Sequence, residues 1–389
     1  MRAVRIIVWV VSMLACGLAS ALTGSGLLAG LGIAALAAPL LGWVACVIAA
    51  RGVQVELACA TTAGKGAPVD LEVTFTNATP VPVAHARIIV KARNLLTAEE
   101  CETPVAACLS PRSTVPMTVE LDSAYCGRIE CTTERVVLFE PFRMLSRTVA
   151  CPSERRLTVM PALHDAQVGD MYAVSPLSDT TVFSPSIKGS DLSEVFGLRE
   201  YEAGDELRRI HWKLSEKIDQ MIVRDASLPL DNSLLLFWDK RIEGNVQDVP
   251  RKADTMAEVV LAIMQRLAHA GVTFEVASND IPASRCIRSF VTDEDDIYEM
   301  IGQLLSFPVA FAGEPGLAEY RRFYGAPTCS RMLYVCCQRP DGVDMLLGGR
   351  DAVMLICDGV YDFGMNQQVA EIHFPPGGAR EALEILGVM

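Results

Sequence analysis

Hydrophobic patterning separates the start of the chain from everything that follows. After two arginines, residues 6–22 are uncharged and mostly apolar, and after a short polar break residues 27–50 are apolar again. Each run is close to the roughly 20 residues that a helix needs to cross a bilayer. A cleaved signal peptide is the competing interpretation of the first run, because residues 19–21 resemble a cleavage site. The second run is too long for a signal sequence, which favours a transmembrane helical hairpin over residues 1–52.

Alternating polar and apolar positions from residue 53 to residue 161 indicate β-strands. The clearest short runs are residues 53–57, 69–75, 86–91 and 114–121, and clusters of Gly, Pro, Asn and Ser separate them. Such spacing is typical of an immunoglobulin-like sandwich or a small barrel. Residues 162–198 are rich in Ser, Asp and Pro and show no period, which predicts an extended connector loop.

The hydrophobic period changes again after residue 228. Buried-strand patterns occur at residues 233–238, 272–277, 332–336 and 353–357, and helical patterns occur at residues 252–270, 294–307 and 380–386. Apolar strands that alternate with helices predict an α/β domain over residues 229–389, with a mainly parallel sheet covered on both faces. Ligands of such sheets bind at the carboxyl ends of the strands, which here carry Asp239, Ser278, Gln338 and Asp358.

Charge and cysteine content limit the possible partners and the cellular compartment of the protein. The chain of 389 residues has a formal net charge of -13 and no block of uncompensated Lys or Arg, which argues against nucleic acid as a partner. Thirteen cysteines are scattered and odd in number, which favours a reducing compartment. Arg2, Arg5 and Arg51 flank the apolar hairpin. Because positive residues stay on the cytoplasmic side, we predict a multi-pass membrane protein whose soluble domains are cytoplasmic.

The segment of residues 199–228 is dense in aromatic, arginine, aspartate and glycine positions. Up to Arg224, its basic residues are Arg199, Arg208, Arg209, Lys213, Lys217 and Arg224, and its acidic residues are Glu200, Glu202, Asp205, Glu206, Glu216 and Asp219. This balance indicates internal ion pairing. Gly204 permits a positive φ, and Asp205 is placed to cap a helical turn over residues 206–210. Ile210 and Leu214 then face the core around Trp212, so the segment is predicted to be an elbow that joins the two domains.

Together these features resemble a bacterial family known as domain of unknown function 58. Its signature has the form R-x-Y-x-x-G-D-x-x-R-x-I-x-W-K, and the matching residues here are Arg199, Tyr201, Gly204, Asp205, Arg208, Ile210, Trp212 and Lys213, with Arg209, His211 and Arg224 beside them. Residues 126–128 and 139–142 resemble the family's Gly-Arg strand and its Asp-Pro-Phe-Gly-like turn, with Glu140 and Arg143 as departures. The resemblance implies a transmembrane hairpin, a β-domain and a von Willebrand factor A-like α/β domain. It also implies association with a MoxR-type AAA+ ATPase in protein assembly or envelope processes.

Metal chemistry is where the chain departs from that resemblance. Domains of the von Willebrand factor A type usually hold Mg²⁺ with Asp-x-Ser-x-Ser after the first strand, because this hard cation prefers oxygen ligands. Residues 239–243 read Asp-Lys-Arg-Ile-Glu, so both serine positions are lost. Lys240 and Arg241 would compete with a cation for Asp239. We therefore predict a paired surface aspartate, and Asp239 is a degenerate metal-site candidate.

The leading hypothesis is a non-enzymatic, membrane-anchored scaffold or interaction protein. It contacts the bilayer through residues 6–50 and a protein partner, an AAA+ ATPase, through its soluble part, with no cofactor, nucleic acid or identified small-molecule substrate. The signature residues are interpreted as structural or interaction residues. One alternative is a metal-dependent or hydrolytic enzyme with a site at the strand ends near Asp239. Another is an envelope adhesion module, which requires the soluble part to lie outside the cell.

Overall fold

The computed structural model describes most of the chain in two compact units. The described residues are 2–164, 183–201, 210–218, 220–229, 234–242, 248–280, 283–309, 313–327, 329, 331–347, 351–359, 362–366 and 369–388. Residues 1–160 form the first unit and residues 161–389 form the second. The thirteen cysteines carry free thiols.

Two apolar helices open the first unit, as predicted. Helix α1 covers Arg2–Thr23 and helix α2 covers Gly26–Ala49, with Gly24 at a φ of 64° in the turn that joins them. The two helices contact each other as a hairpin. Spans of 20 and 24 residues within them have mean hydropathies of 2.2 and 2.3, so both are long and apolar enough to cross a membrane.

Eight strands follow and form two sheets in the same unit. They are β1 (Val53–Ala58), β2 (Thr62–Gly64), β3 (Val69–Asn77), β4 (Val83–Asn94), β5 (Glu100–Leu109), β6 (Ser113–Leu121), β7 (Gly127–Phe139) and β8 (Ser146–Met160). One sheet has the order β1-β3-β6 and the other β2-β8-β7-β4-β5. Inward side chains of both sheets form one apolar core, which confirms the β-structure predicted from the alternating pattern.

The second unit begins with a hairpin where a loop was predicted. Strand β9 (Phe183–Glu200) pairs antiparallel with β10 (Ile222–Pro229), and helix α3 (Trp212–Ile218) lies between them in sequence. The prediction of an extended loop was therefore wrong for residues 183–198. Register shifts interrupt the ladder, which explains why this segment lacks the strict alternation that indicates a strand. Residues 165–182 lie outside the described residues.

An α/β sheet follows, as the apolar runs predict. Its elements are β11 (Leu234–Trp238), α4 (Val249–His269), β12 (Phe274–Asp280), β13 (Arg285–Val291), α5 (Glu294–Leu304), α6 (Gly316–Tyr324), β14 (Arg331–Cys336), α7 (Val343–Leu347), β15 (Asp351–Ile356), β16 (Asp362–Asn366), β17 (Val369–His373) and α8 (Ala379–Val388). The strand order is β13-β12-β11-β14-β15-β17-β16. The five inner strands are parallel and the two edge strands are antiparallel.

Helices cover both faces of this sheet. Helix α4 contacts α5 and α8, whereas α6 contacts α7 and the strands β12 and β13. Leu235 and Phe237 of β11 belong to one apolar cluster with Leu317 and Tyr320 of α6. From β11 the chain moves to β12 and β13, then returns to the other side of β11 as β14. The carboxyl ends of β11 and β14 therefore form the switch point, where doubly wound sheets bind ligands.

Candidate functional site

Asp239 directly follows β11 at this switch point and is saturated with hydrogen bonds. Its Oδ1 accepts from the backbone N–H of Arg241 at 2.9 Å and from Nδ2 of Asn279 at 3.3 Å. Its Oδ2 accepts from the backbone N–H of Gly316 at 3.0 Å and from the hydroxyl of Tyr334. The side chain is 1% exposed.

The start of α6 explains why Asp239 is buried. Gly316 opens this helix, and a Cβ at that position would lie 2.7 Å from Cε1 of Phe237 and 3.0 Å from Cγ of Asn279. Only glycine therefore lets the first helical amide approach the carboxylate. The N-terminus of a helix also carries partial positive charge, which stabilises an anion there. Asp239 thus attaches α6 to the end of the sheet.

This geometry changes the interpretation of the metal-site candidate. A carboxylate offers about four acceptor positions, and four donors of the protein occupy those of Asp239. Among the described residues, no group of three or more His, Cys, Asp or Glu side chains is arranged to hold a metal ion. The prediction of a surface aspartate was wrong, because helix α6 covers the Asp239 side chain. This helix was not predicted from the sequence.

Lys240 is buried on the other side of the same strand end. Its Nζ donates to the carbonyl of Phe307 at 2.8 Å and to the carbonyl of Leu304, at the C-terminus of α5. The ammonium also lies 4.5 Å from the centroid of the Trp238 ring. A cation is favourable at both places, because the helix C-terminus and the aromatic face carry negative partial charge. Asp239 and Lys240 thus each attach one helix to the sheet, on opposite faces.

Two further buried carboxylates lie between α6 and the sheet: Glu275 belongs to β12 and Glu319 to α6. The hydroxyl of Tyr320 donates to Oε1 of Glu275 at 2.6 Å, and burial raises the pKa of Glu275. Glu319 is 5% exposed, and its Oε2 lacks a hydrogen-bond partner within the described part of the chain. Burial raises the pKa of Glu319, the Asp239 carboxylate adds to the effect, and the guanidinium of Arg322 opposes it. The ionised form of Glu319 therefore destabilises the fold.

We predict that Glu319→Gln stabilises the second unit at neutral pH by about 1 kcal/mol. A folded-state pKa above the unfolded value means that the unfolded chain releases its proton first as the pH rises. The wild type then loses stability from about pH 4 upwards until the folded carboxyl ionises, and the variant does not. Unfolding curves measured at a series of pH values check this, with Glu381→Gln at an exposed position of α8 as the control. Parallel pH profiles for wild type and Glu319→Gln would contradict the prediction.

The other strand-end residues do not join Asp239 in one site. Ser278 lies within β12, and its hydroxyl donates to the carbonyl of Trp238 at 2.8 Å. Asn279, the next residue, is the one that reaches Asp239 because side chains alternate along a strand. Asp358 instead lies 2.7 Å from Nδ1 of His373 on β17.

A separate polar network surrounds His373. Its Nε2 lies 3.5 Å from Glu371, which contacts Nη1 of Arg339 at 2.5 Å. Arg339 in turn donates to both oxygens of Asp344 at 2.7 Å. Sequence reasoning missed this network because its members come from three elements that are distant in the chain. Arg339 bridges two carboxylates and His373 contacts two, and such cross-linking of neighbouring segments suits a structural role at this side of the sheet.

The thiols offer no reactive nucleophile in the two cores. Burial raises the pKa of Cys131 and of Cys286 to about 12, so both stay protonated at neutral pH. Burial also raises the pKa of Cys337 and Cys357. Because the thiolate is the nucleophile, these cysteines act as small apolar residues.

The signature residues that the structure describes lie on β9, β10 and α3 or directly beside them. Backbone pairing places Arg199 opposite Val223 and Arg224 opposite Leu198. The N–H of His211 donates to the carbonyl of Ile222 at 2.8 Å. Tyr201 and His211 are half-buried, and Lys213 is exposed. Gly204, Asp205, Arg208 and Arg209 lie outside the described residues, so the predicted arginine–carboxylate pairing at them remains a prediction.

Trp212 is not the centre of a buried patch. Its side chain is 61% exposed, whereas Ile210 is 4% exposed and forms a β-bridge with Val223. Ile210 is therefore not helical, and α3 begins at Trp212; residues 206–209 of the predicted helical turn lie outside the described residues. The bridge holds Ile210 inwards, and the chain then turns Trp212 outwards in the first turn of α3.

Comparisons with known proteins leave the family open. No family model and no curated protein matches the chain. Among solved structures, a CARDB domain of a Pyrococcus furiosus protein matches with 14% identity and a TM-score of 0.22, over 28% of this chain and 91% of that one. A cohesin module from Clostridium perfringens matches with 7% identity and a TM-score of 0.22, over 28% and 96%. A Listeria innocua beta-glucosidase matches with 14% identity and a TM-score of 0.20, over 28% and 16%. Likenesses this weak carry no argument about function.

Proposed function

We propose that the chain is a non-enzymatic, membrane-anchored scaffold that binds a protein partner through the unit formed by β9, β10 and α3, called the hairpin unit below. The observation that carries this proposal is the exposure of large apolar side chains there. Trp212 is 61% exposed, Met221 53%, Leu198 51% and Ile218 45%. Exposed apolar side chains grouped within one small unit are typical of protein interaction sites.

The surroundings of Trp212 suit a protein interface. Lys213, Glu216 and Lys217 are exposed on the same helix and supply a polar rim around the apolar residues. Tryptophan is the residue most enriched among those that dominate binding energy, because it buries a large rigid area and keeps one N–H for a hydrogen bond. Saturation of Asp239 by donors of the protein also favours binding over metal-dependent catalysis.

Membrane anchoring through α1 and α2 is the second part of the proposal. Both helices have the length and hydropathy of spanning segments. Arg2 and Arg5 lie in the first turn of α1 and Arg51 follows α2, so both chain ends of a spanning hairpin face the cytoplasm. The soluble units are then cytoplasmic, where the free thiols are stable.

Family membership completes the proposal. The signature from Arg199 to Lys213 supports assignment to the domain of unknown function 58 family. The two facing sheets are compatible with an immunoglobulin-like domain, and the mainly parallel sheet flanked by helices with a von Willebrand factor A-like domain. We infer a MoxR-type AAA+ ATPase as the partner from that family resemblance.

Direct binding tests the proposal. We expect Trp212→Ala to weaken the affinity of the full-length, vesicle-reconstituted chain for a purified MoxR-type ATPase by about 30-fold, the effect of losing roughly 2 kcal/mol at a dominant interface residue. Tyr298→Ala is the matched control, because Tyr298 is an aromatic residue of α5 with 57% exposure. Equal affinities for wild type and both variants would exclude the hairpin unit as the interface.

A further inference from the structure

The turn between β7 and β8, residues 140–145, is organised by a fully buried glutamate. Oε2 of Glu140 accepts from the N–H of Phe142 at 2.5 Å, and Oε1 accepts from the N–H of Leu145 at 3.2 Å and from the N–H of Met144. The N–H of Arg143 donates to the carbonyl of Glu140 at 2.9 Å, with Arg143 at a φ of 57°. The carboxylate is thus hydrogen-bonded to the backbone of the turn. In this conformation Phe142 and Arg143 point outwards.

This 140–145 turn is pressed against helix α2. A Cβ at Gly42 would lie 2.9 Å from Cβ of Glu140 and 3.2 Å from Cδ of Pro141. Pro39, Cys46 and Ala49 are buried, and they share one face of α2 with Gly42 because they are three or four residues apart. The turn is therefore fixed at the level of Gly42 along the helix.

Gly42 lies near the membrane–water boundary when α2 spans a bilayer. Helix α2 has 24 residues, so it is about 36 Å long, whereas the hydrocarbon layer is about 30 Å thick. Gly42 lies 16 residues beyond Gly26, which is about 24 Å along the axis, so it is about 6 Å inside the far boundary of a layer that begins at Gly26. Trp43 comes next and is 39% exposed, and tryptophan concentrates at the boundary of a bilayer. A turn held at this level lies within reach of the region where acyl chains meet headgroups, which extends about 5–10 Å below the membrane surface.

The side chains at the tip of the turn match that environment. Phe142 is 49% exposed. Beside it, the guanidinium of Arg143 contacts Nε2 of His85, and burial together with that guanidinium lowers the pKa of His85. The histidine is then the neutral acceptor, and the pair carries the positive charge of Arg143. An apolar ring next to a cation fits the acyl boundary and the lipid phosphates above it.

We propose that the 140–145 turn is a lipid-binding element: Phe142 enters the boundary between headgroups and acyl chains, and Arg143 contacts a lipid phosphate. The β-domain is thereby held flat against the membrane surface by a second anchor besides α1 and α2. The inference rests on the proposed membrane anchoring. Lipid is the occupant because the turn is continuous with the face of a membrane-spanning helix.

Photo-crosslinking in a bilayer tests this contact. The full chain is reconstituted into vesicles of equal parts phosphatidylethanolamine and phosphatidylglycerol, with p-benzoylphenylalanine in place of Phe142. After irradiation, we expect mass spectrometry to find lipid adducts at residue 142. Phe363 of β16 has the same 49% exposure and serves as the matched control position, where adducts should be several-fold fewer. Leu14 in the middle of α1, 68% exposed, serves as the position inside the bilayer.

The three positions distinguish the possible failures. Adducts at residue 14 but none at residue 142 above the level of residue 363 would overturn the lipid contact and leave the anchoring intact. An absence of adducts at residue 14 would overturn the anchoring itself and the inference with it. Equal yields at 142 and 363 would also overturn the inference, because labelling would then reflect exposure alone.

Discussion

Asp239→Ala is expected to lower the unfolding free energy of the second unit by about 3–4 kcal/mol, because four donors lose this acceptor and three of those hydrogen bonds are buried. The N–H of Gly316 is the most informative of them, since it donates directly to the lost carboxylate at the start of α6. We expect its exchange with deuterium to accelerate by roughly a hundredfold, the factor that corresponds to about 3 kcal/mol. Hydrogen-exchange mass spectrometry of peptides covering α6 in the full chain measures this.

Two variants control the Asp239 result. Asp239→Asn keeps the shape and one acceptor oxygen, so its exchange rate should lie between wild type and Asp239→Ala. Asp341→Ala removes an exposed aspartate from the same unit and should leave α6 unchanged. If Asp239→Ala left the exchange of α6 at the wild-type rate, the carboxylate would not attach the helix, and the structural interpretation of the site would fail.

Lys240→Ala is expected to have the second largest effect, about 3 kcal/mol, because it removes both an ammonium and a long buried stem. The ammonium holds two carbonyls at the end of α5, and it lies close to the rings of Trp238 and Phe307. Lys240→Met keeps most of the stem and should cost only about 1–2 kcal/mol. Exchange of the α5 amides reports both changes.

The comparison between the two Lys240 variants separates charge from packing. Wild-type behaviour of Lys240→Met would mean that the ammonium contributes nothing, and equal effects of both variants would mean that the stem contributes nothing. Lys217→Ala on α3 removes an exposed lysine and should not affect α5. An unchanged α5 in Lys240→Ala would contradict the attachment of that helix through the end of β11.

The elements that could be predicted are those in which one physical signal dominates. The two apolar helices could be predicted from the length of their apolar runs. Strands β11, β12, β14 and β15 could be predicted because each contains a short, mostly apolar run. Strand β13 reads Arg-Cys-Ile-Arg-Ser-Phe-Val, and its mixture of arginine and apolar residues suits an edge strand that helix α6 partly covers. Strand β9 was missed because its ladder is interrupted by register shifts. The hydrophobic period of a sequence reflects which side chains are buried. Strands that are partly exposed or irregular therefore cannot be recognised from it.

The central residue of the candidate site, Asp239, could be predicted from the sequence. Its hydrogen-bond donors could not. Asp239 was singled out because it follows a buried strand at the carboxyl edge of the sheet. Gly316 and Tyr334 are 77 and 95 positions further along the chain, and no local pattern connects them to it. The Pro-Gly pair at residues 315–316 was the available signal for a helix start, since proline is favoured near a helix N-terminus. Had α6 been predicted, Asp239 would have been expected to be buried.

The binding isotherm between the reconstituted wild-type chain and a purified MoxR-type ATPase tests the central claim most directly. The strand-end aspartate holds the fold, and the hairpin unit exposes Trp212. Such a scaffold should bind saturably with a Kd on the order of micromolar or lower. It should bind equally well with and without Mn²⁺, because Asp239 has no free acceptor for a cation. Absence of binding at tens of micromolar, or binding that requires Mn²⁺, would contradict the account.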